Sequence, residues 1–437
     1  MKLKINLTPI VATILLFFAA PAFAAVTSQD TIIARLQALP GVSGIEKLQS
    51  QAFDDKYLLY VEQPIDHKNP AAGTFKQRVF LMNISFDRPM VMVTEGYGAA
   101  GAGNPRYRDE VSRLLNTNQI VVEHRYFLES TPKDKDWQYL TAENSANDHH
   151  RIRELFAQFY KGTWIATGIS KGGQTALIYR AFFPDDVDIT IPYVAPLCRG
   201  KEDGRHEIFL SKIVGNAQER LLLENFQKEL LSRRAELQPK FDSLCTAKKY
   251  TFNLPTDEIY DYSVLEFPFA FWQWGSPISE VPAPGSPVNQ VFEYFMKISS
   301  PDYFVNETST TPFFVQAGRE LGYYGYATKP FKSLLKIKSS KGYLDKLVVP
   351  QGGQFKFDKR LYDKLRKFVA TTDKKMLFIY GEYDPWSSVM VTEPKNSNVI
   401  VLVQPKGSHR TRISTLPEDM KEGAISLLTG WISENGK

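Results

Sequence analysis

The sequence predicts an α/β fold in which a mainly parallel sheet is covered by helices on both faces. Apolar runs such as residues 89–94 and 189–194 have the length and composition of buried central strands. Patterns with helical spacing alternate with these runs, as parallel strands require. Glycine-rich turns follow several of the runs, and in such a sheet these turns collect at one edge.

Taken in chain order, the elements fit this class. Residues 30–39 predict a short helix, and two segments that alternate apolar and polar side chains predict antiparallel strands, at 56–62 and 75–84. Further strands are predicted at 89–94, 119–122, 163–167 and 189–194, with helices at 147–160 and 174–183. After a long interruption, the pattern resumes with strands at 375–380 and 398–403 and a helix at 418–431.

The stretch GISKGG at residues 168–173 fits the G-x-S-x-G pattern in the context that this pattern needs. A short apolar strand precedes it, and a helix follows it as far as Pro184. Strand, sharp turn and helix form the nucleophile elbow of an α/β-hydrolase, in which strained backbone holds a serine hydroxyl clear of the sheet. A glycine-rich turn with an incidental serine is the alternative. We therefore predict an α/β-hydrolase with Ser170 as its nucleophile.

Two further residues complete a predicted catalytic triad. A serine hydroxyl needs a base and a carboxylate that orients the base, and in this fold the chain order is Ser, Asp, His. Asp384 follows the strand at 375–380, and His409 follows the strand at 398–403. Of the six histidines, His409 alone comes after Asp384. We predict catalysis through an acyl-enzyme, with no cofactor and no metal.

The oxyanion of the tetrahedral intermediate needs two backbone N–H donors. One is predicted to be the amide of Lys171, directly after the nucleophile. The other is expected in the glycine-rich loop after the first central strand, at Gly96 or Tyr97.

Residues 1–24 have the features of a secretory signal peptide. Lys2 and Lys4 precede a short apolar run, and a small-residue cleavage site ends at Ala24. We therefore predict a secreted or periplasmic protein without stable membrane insertion. The formal net charge of +5 falls to +3 when the two lysines leave, and the remaining charges are scattered, so we predict no nucleic-acid partner.

Between residues 200 and about 362 the alternation of strands and helices is interrupted. This interruption predicts a mostly helical cap inserted before the last core strands. The expected division is a signal peptide at 1–24, core at 25–199, cap at 200–362 and core again at 363–437. A long helix is expected at 216–237. The aromatic residues of the segment 267–274 either form the core of the cap or line a pocket that faces Ser170.

The two cysteines have two possible fates. In an oxidising compartment Cys198 and Cys245 are expected to form one disulfide that joins core and cap, and two free buried thiols are the alternative.

Several segments also resemble the secreted bacterial prolyl tri- and tetrapeptidyl aminopeptidases, the PS-10 serine peptidases, and more distantly lysosomal Pro-X carboxypeptidase. The similarity extends from about residue 60 to residue 409. It departs at Lys171, where the lysosomal enzymes have tyrosine, and this favours the bacterial branch. The matching segments are QPIDH at 63–67, FKQR at 75–78, EHRY at 123–126, GISKGG at 168–173 and QAGRELGYY at 316–324.

The resemblance implies a serine exopeptidase that releases short peptides from free N-termini and cleaves after proline. Such an enzyme must bind a terminal ammonium, and because an unpaired charge in a dry pocket is costly, carboxylates are expected there. Proline would need a flat apolar pocket. Candidates for the two roles are Glu320, Glu123 and Glu95 for the ammonium, and Trp386, Trp272 and Trp274 for proline.

Two other functions remain open at this point. The same triad would serve a secreted carboxylesterase or lipase, and the fold could also carry a binding protein without catalysis. The sequence does not indicate the length of peptide released or the oligomeric state.

Overall fold

The computed structural model describes residues 28–392 and 394–435 of the chain. The predicted signal peptide lies outside these residues. One sheet of nine strands forms the centre of the molecule. The strands are β1 Val42–Lys47, β2 Asp55–Pro64, β3 Thr74–Asn83, β4 Met90–Thr94, β5 Asn118–Val122, β6 Trp164–Ile169, β7 Ile189–Tyr193, β8 Lys375–Gly381 and β9 Val399–Gln404.

The sheet has the order β1-β2-β3-β5-β4-β6-β7-β8-β9. The pairs β1·β2, β2·β3 and β3·β5 are antiparallel, and every later pair is parallel. The predicted antiparallel pair and the predicted parallel centre are both present. Strand β1 was not predicted, because its sequence VSGIEK is mostly polar and none of its residues is fully buried.

The central strands are buried because both faces of the sheet are covered. In β4, Met90 and Met92 pack with the helix that precedes β6, whereas Val91 and Val93 pack with the C-terminal helix on the opposite face. Each side chain on these strands therefore removes apolar surface from water, which explains why the central runs contain so few polar residues.

Helices cover the sheet and form the cap. Between β7 and β8, residues 194–374 contain helices and no strand. We call helices α5–α11 the cap. The helices are α1 Ser28–Ala38, α2 Glu110–Leu115, α3 Ala142–Phe156, α4 Lys171–Phe182, α5 Arg205–Ile208, α6 Ala217–Ser232, α7 Arg234–Ala247, α8 Thr256–Trp274, α9 Val288–Ile298, α10 Thr311–Gln316, α11 Tyr343–Leu347, α12 Arg360–Thr371 and α13 Glu418–Asn435.

The single helix expected at 216–237 is wrong, because the chain forms two helices, α6 and α7, that meet at Arg233. Asn216 caps α6 in a reciprocal capping box with Glu219, so the predicted start is nearly right. Within the described residues, no helix is both long and apolar enough to cross a lipid bilayer.

Helix α8 runs through the middle of the cap and contains Pro268. Proline has no N–H, so the carbonyl of Val264, four residues earlier, loses its helical partner. The side chain of Gln227 on α6 replaces it, because its Nε2 donates to the Val264 carbonyl at 2.8 Å. A side chain from a neighbouring helix thus satisfies the gap in the hydrogen bonding of α8.

Candidate active site

Ser170 occupies a strained turn between β6 and α4. Its backbone angles are φ 58° and ψ −121°, in the left-handed region that residues other than glycine rarely adopt. Its N–H donates to the carbonyl of Tyr193 on the neighbouring strand at 2.8 Å. The side chain is only partly buried, at the first turn of α4. The turn therefore has the geometry of a nucleophile elbow.

Two glycines allow the chain to cross itself at this turn. A Cβ added at Gly168 would lie 2.4 Å from the carbonyl oxygen of Gly172, and a Cβ at Gly172 would lie 2.7 Å from the carbonyl oxygen of Thr94. Both distances are too short for a side chain, which explains the two glycines of the G-x-S-x-G pattern.

His409 and Asp384 meet at the carboxyl ends of β8 and β9. Nδ1 of His409 lies 2.7 Å from Oδ2 of Asp384, and both side chains are buried. The other oxygen of Asp384 accepts from the N–H of Trp386 at 3.1 Å, which fixes the carboxylate. The two loops are tied together, since the N–H of Tyr383 donates to the carbonyl of Gly407 at 2.8 Å.

Ser170 and His409 line one cleft of about 940 Å³ between the sheet and the cap. Since Nδ1 of His409 is bound to Asp384, Nε2 is the ring nitrogen left for a serine hydroxyl. The structure thus brings the three predicted triad residues to one place. Their assignment as catalytic residues remains a prediction.

The glycine-rich loop after β4 packs directly on the elbow. A Cβ at Gly96 would lie 2.6 Å from the backbone nitrogen of Gly172 and 2.7 Å from Cβ of Lys171. Tyr97, the next residue, lines the cleft, as does Lys171. The amides predicted for the oxyanion hole therefore come from two backbone segments in close contact near Ser170.

The burial of the Lys171 side chain was not predicted from the sequence. It is 2% exposed, and among the described residues its Nζ has no hydrogen-bond partner. The amine lies 5.8 Å from the ring centre of Tyr97 and 5.3 Å from that of Phe127. Burial holds the pKa of this lysine well below its usual value, and the nearby charge of Glu320 acts in the opposite direction.

Glu123 does not line the cleft, contrary to its predicted role in substrate binding. It is fully buried and forms an ion pair with Arg78. It also accepts from the N–H of Ala99 at 2.8 Å and from the hydroxyl of Ser130 at 2.9 Å. With these partners its carboxylate holds the glycine-rich loop in place.

Glu320 is likewise not among the residues that line the cleft, although its charge acts on that of Lys171. Its Oε1 accepts from the N–H of Ala142, the first residue of α3, at 2.7 Å. Burial raises the pKa of this carboxyl to about 7. The side chain therefore serves an N-terminal amide of α3 that has no partner within the helix.

Glu95 does line the cleft, so it remains a candidate for substrate binding. Burial raises its pKa to about 7, and the nearby charges of Asp109 and Glu123 act in the same direction.

The three predicted tryptophans divide between two cavities. Trp386 and Trp274 line the cleft, and the ring centre of Trp274 lies 6.0 Å from that of His409. Trp272 instead lines a separate cavity of about 270 Å³ in the cap and is not among the residues that line the cleft, so its role with substrate stays a prediction. On a helix, residues 272 and 274 are about 200° apart, which places them on different faces of α8.

Sequence reasoning missed several cleft residues of the cap. Glu266 on α8 is 5% exposed and accepts from the hydroxyls of Tyr324 and Tyr326. An acid inside an apolar helical segment was the available signal, and it was overlooked. Aromatic cap residues that line the same cleft are Tyr303, Phe313, Phe314 and Tyr323.

The expected disulfide is not formed. Cys198 and Cys245 are free thiols, and both are buried. Cys198 packs against the backbone at Gly322, where an added Cβ would lie 2.5 Å from the Cβ of the cysteine, and Cys245 lies in α7. Burial raises the pKa of both thiols, so each behaves as a small apolar side chain.

Comparison with known proteins identifies the family of this chain. The family model described as PS-10 peptidase S37 matches residues 25–435. The prolyl tri/tetrapeptidyl aminopeptidase of Streptomyces mobaraensis is 31% identical over 416 residues, which cover 92% of this chain and 85% of that protein.

Solved structures with a remote similarity include two hydrolases. The peroxisomal α/β-hydrolase Lpx1 of Saccharomyces cerevisiae has a TM-score of 0.39 at 12% identity, over 88% of this chain and 90% of that one. The proline iminopeptidase of Mycobacterium smegmatis has a TM-score of 0.36 at 12% identity, over 90% of this chain and 99% of that one.

The sheet order and the strained elbow of the chain itself establish the α/β-hydrolase fold. The family model spans nearly the whole chain, and the relative from Streptomyces is similar over most of its length. The chain therefore belongs to the PS-10 peptidase S37 family and is a serine peptidase.

Proposed function

We propose that this serine peptidase releases short peptides from free N-termini and cleaves after proline, with Ser170, His409 and Asp384 as its triad. The observation that carries the proposal is the bond between His409 and Asp384 on the same aromatic cleft as the strained Ser170. The Streptomyces relative is named for such an activity, and this supports the substrate class.

The reaction follows from the positions of three side chains. Nε2 of His409 takes the proton of the Ser170 hydroxyl as Oγ attacks the carbonyl carbon of the scissile bond. Asp384 stabilises the imidazolium through Nδ1. The imidazolium then gives its proton to the departing amine, which leaves an acyl-enzyme. Water, deprotonated by the same histidine, releases the acyl group as a peptide with a free carboxylate.

The negative charge of each tetrahedral intermediate falls next to the first turn of α4. The amide of Lys171 begins this helix, whose N-terminal end favours negative charge. A second amide from Gly96 or Tyr97 completes the proposed oxyanion hole, because their loop packs on the elbow.

Proline fits a wall of aromatic rings beside the triad. The ring centres of Tyr97 and Phe313 are 5.7 Å apart, those of Phe313 and Tyr323 are 5.6 Å apart, and those of Tyr323 and Trp386 are 5.5 Å apart. Such faces suit a flat apolar pyrrolidine ring, which buries its CH₂ groups against them.

The cap accounts for a preference for chain ends. It lines the cleft together with the core and contacts the triad directly, since the carbonyl of Gln273 on α8 accepts from the backbone N–H of His409 at 3.0 Å. A roofed cleft admits a terminus more readily than the middle of a folded chain. We further propose that the protein acts outside the cytoplasm after loss of residues 1–24.

Mass spectrometry of products from a mixed peptide library tests this proposal. We expect di- to tetrapeptides ending in proline, all derived from free N-termini, and no products from a Ser170→Ala variant. Cleavage without preference for proline or for a terminus would overturn the proposal. Rapid hydrolysis of short acyl esters without peptide cleavage would indicate an esterase, and no turnover of either would indicate a binding protein.

A further inference from the structure

Seven Asp and Glu residues of the described chain are at most 5% exposed, and six of them have a basic partner. Glu266 has none. The six pairs are Asp55 with Lys47, Glu123 with Arg78, Asp148 with Arg125 and His67, Asp203 with Arg205, Asp261 with Arg234, and Asp384 with His409.

Within residues 28–392 and 394–435, the carboxylate of Glu266 is held by two hydroxyls and by no cation. Tyr324 donates to it at 2.9 Å and Tyr326 donates at 2.8 Å. Burial raises the pKa of Glu266 to about 8, although the two hydrogen bonds act in the opposite direction. A buried charge with only neutral partners is unfavourable, so the folded chain keeps this acid at a cost in stability.

The same side chain lines the cleft that contains Ser170. Two hydroxyls fix its orientation, and a carboxylate has about four lone-pair positions, so further donors can bind from the cleft. The missing partner therefore matches a cation that arrives with the substrate. The cation that a peptide with a free N-terminus brings is its ammonium group.

We propose that Glu266 binds the terminal ammonium of the peptide and thereby selects free N-termini. This inference rests on the proposed function and deepens it. Tyr324 and Tyr326 act as positioning residues, because each hydroxyl holds the carboxylate in place. Binding the ammonium would supply the basic partner that each of the other six acids already has.

Glu95 is the other cleft-lining candidate, and its position suits the role less well. It directly precedes Gly96, which packs on the elbow, so an ammonium bound there would lie beside the reacting carbonyl. Glu266 is separated from the triad by rings. The ring centre of Tyr324 lies 5.5 Å from that of Trp386, and the ring centre of Trp386 lies 6.5 Å from that of His409. An anchor behind two rings leaves room for residues between the N-terminus and the cleaved bond.

The test compares two chromogenic substrates, Ala-Ala-Pro 4-nitroanilide with a free N-terminus and its N-acetylated form. Glu266→Gln keeps an acceptor for the tyrosines but removes the charge. We expect its kcat/KM for the free peptide to fall about 100-fold or more, since losing one partner of a desolvated charge pair has a large effect. The rate for the acetylated peptide should stay the same, so the preference should disappear.

Two controls distinguish loss of the ammonium-binding site from misfolding and from failure of the proposed function. Glu293→Gln removes the same charge from an exposed position of α9 and should leave both rates unchanged. Labelling of Ser170 by a fluorophosphonate reports an intact triad in each variant. If Glu266→Gln keeps the preference for free N-termini, the inference is wrong although the proposed function stands.

Failure of the proposed function has a different signature. In that case the wild-type protein would cleave neither nitroanilide. Calorimetric titration of Ser170→Ala with Ala-Ala-Pro amide, with and without Glu266→Gln, still tests the anchor, because it needs no turnover. Equal affinities in the two backgrounds would overturn the inference.

Discussion

The backbone N–H of His409 donates to the carbonyl of Gln273 at 3.0 Å, so the proposed catalytic base is bonded directly to the last turn of cap helix α8. Immediately afterwards, Gly275 ends that helix in the left-handed conformation, with φ +68°. The position of the cap and the position of the imidazole are therefore linked.

Gly275→Ala is expected to disturb this link. An added Cβ would lie 3.1 Å from Cβ of Ser408, and alanine in a left-handed conformation costs about 1–2 kcal/mol. We expect kcat to fall about 10-fold, because small displacements of a catalytic group are costly. Gly285→Ala is the matched control, since it has φ +76° and nothing within 4 Å. Equal kcat values in the two variants would contradict the link.

Gly96→Ala tests the proposed oxyanion hole. The new Cβ would lie 2.6 Å from the nitrogen of Gly172, so the loop must move away from the elbow. Loss of one donor lowers kcat about 10²- to 10³-fold. Gly101→Ala lies in the same loop with nothing within 4 Å and should keep full activity. Stopped-flow acylation rates compare the two, and similar rates would count against the assignment.

Asp384→Asn tests the triad. An amide in place of the carboxylate favours the wrong tautomer of His409, and we expect kcat to fall about 10⁴-fold while the fold is kept. Asp363→Asn on the exposed face of α12 removes the same charge and should have no effect. The rate of fluorophosphonate labelling gives the measurement. A variant with nearly normal labelling would show that another residue orients the histidine.

Glu266→Gln should raise stability while it lowers activity. The pKa of this group is about 8 in the folded chain and about 4.3 in an unfolded one, so between these values the folded state binds more protons. Its contribution to stability is therefore present below about pH 4 and is lost as the pH rises to 8. The groups that face it are Tyr303, Tyr324, Tyr326 and Tyr343.

Thermal unfolding from pH 5 to pH 8 measures this effect. We expect the melting temperature of Glu266→Gln to exceed that of the wild-type protein, by a margin that widens toward pH 8 to several degrees. Glu293→Gln should follow the wild-type curve at every pH. If the difference in melting temperature between Glu266→Gln and the wild-type protein were the same at every pH, the pH dependence of stability would not come from protonation of Glu266.

The elbow and the ends of β8 and β9 were predictable because short contiguous segments encode them. The roles of Glu123 and Glu320 were not. Glu320 accepts from an amide 178 positions away in the chain, and Glu123 pairs with Arg78 at a separation of 45. No local pattern records such partners, so both acids looked equally available to substrate.

Glu266 escaped prediction for the opposite physical reason. Its significance lies in the absence of a basic neighbour within the folded cap, and a sequence lists residues without showing which of them meet. The break between α6 and α7 at Arg233 was missed because the segment contains no glycine or proline at that point.

The bond from Gln227 to the carbonyl exposed by Pro268 has a mechanical consequence. It joins α6 to α8 two residues before Glu266, at the one point where α8 lacks its own internal support. If the cap moves away from the core to admit a peptide, α6 and α8 should move together as a rigid unit. The carboxylate of Glu266 should move with them. Entry of the peptide and binding of its N-terminus by Glu266 would then depend on the same movement of the cap.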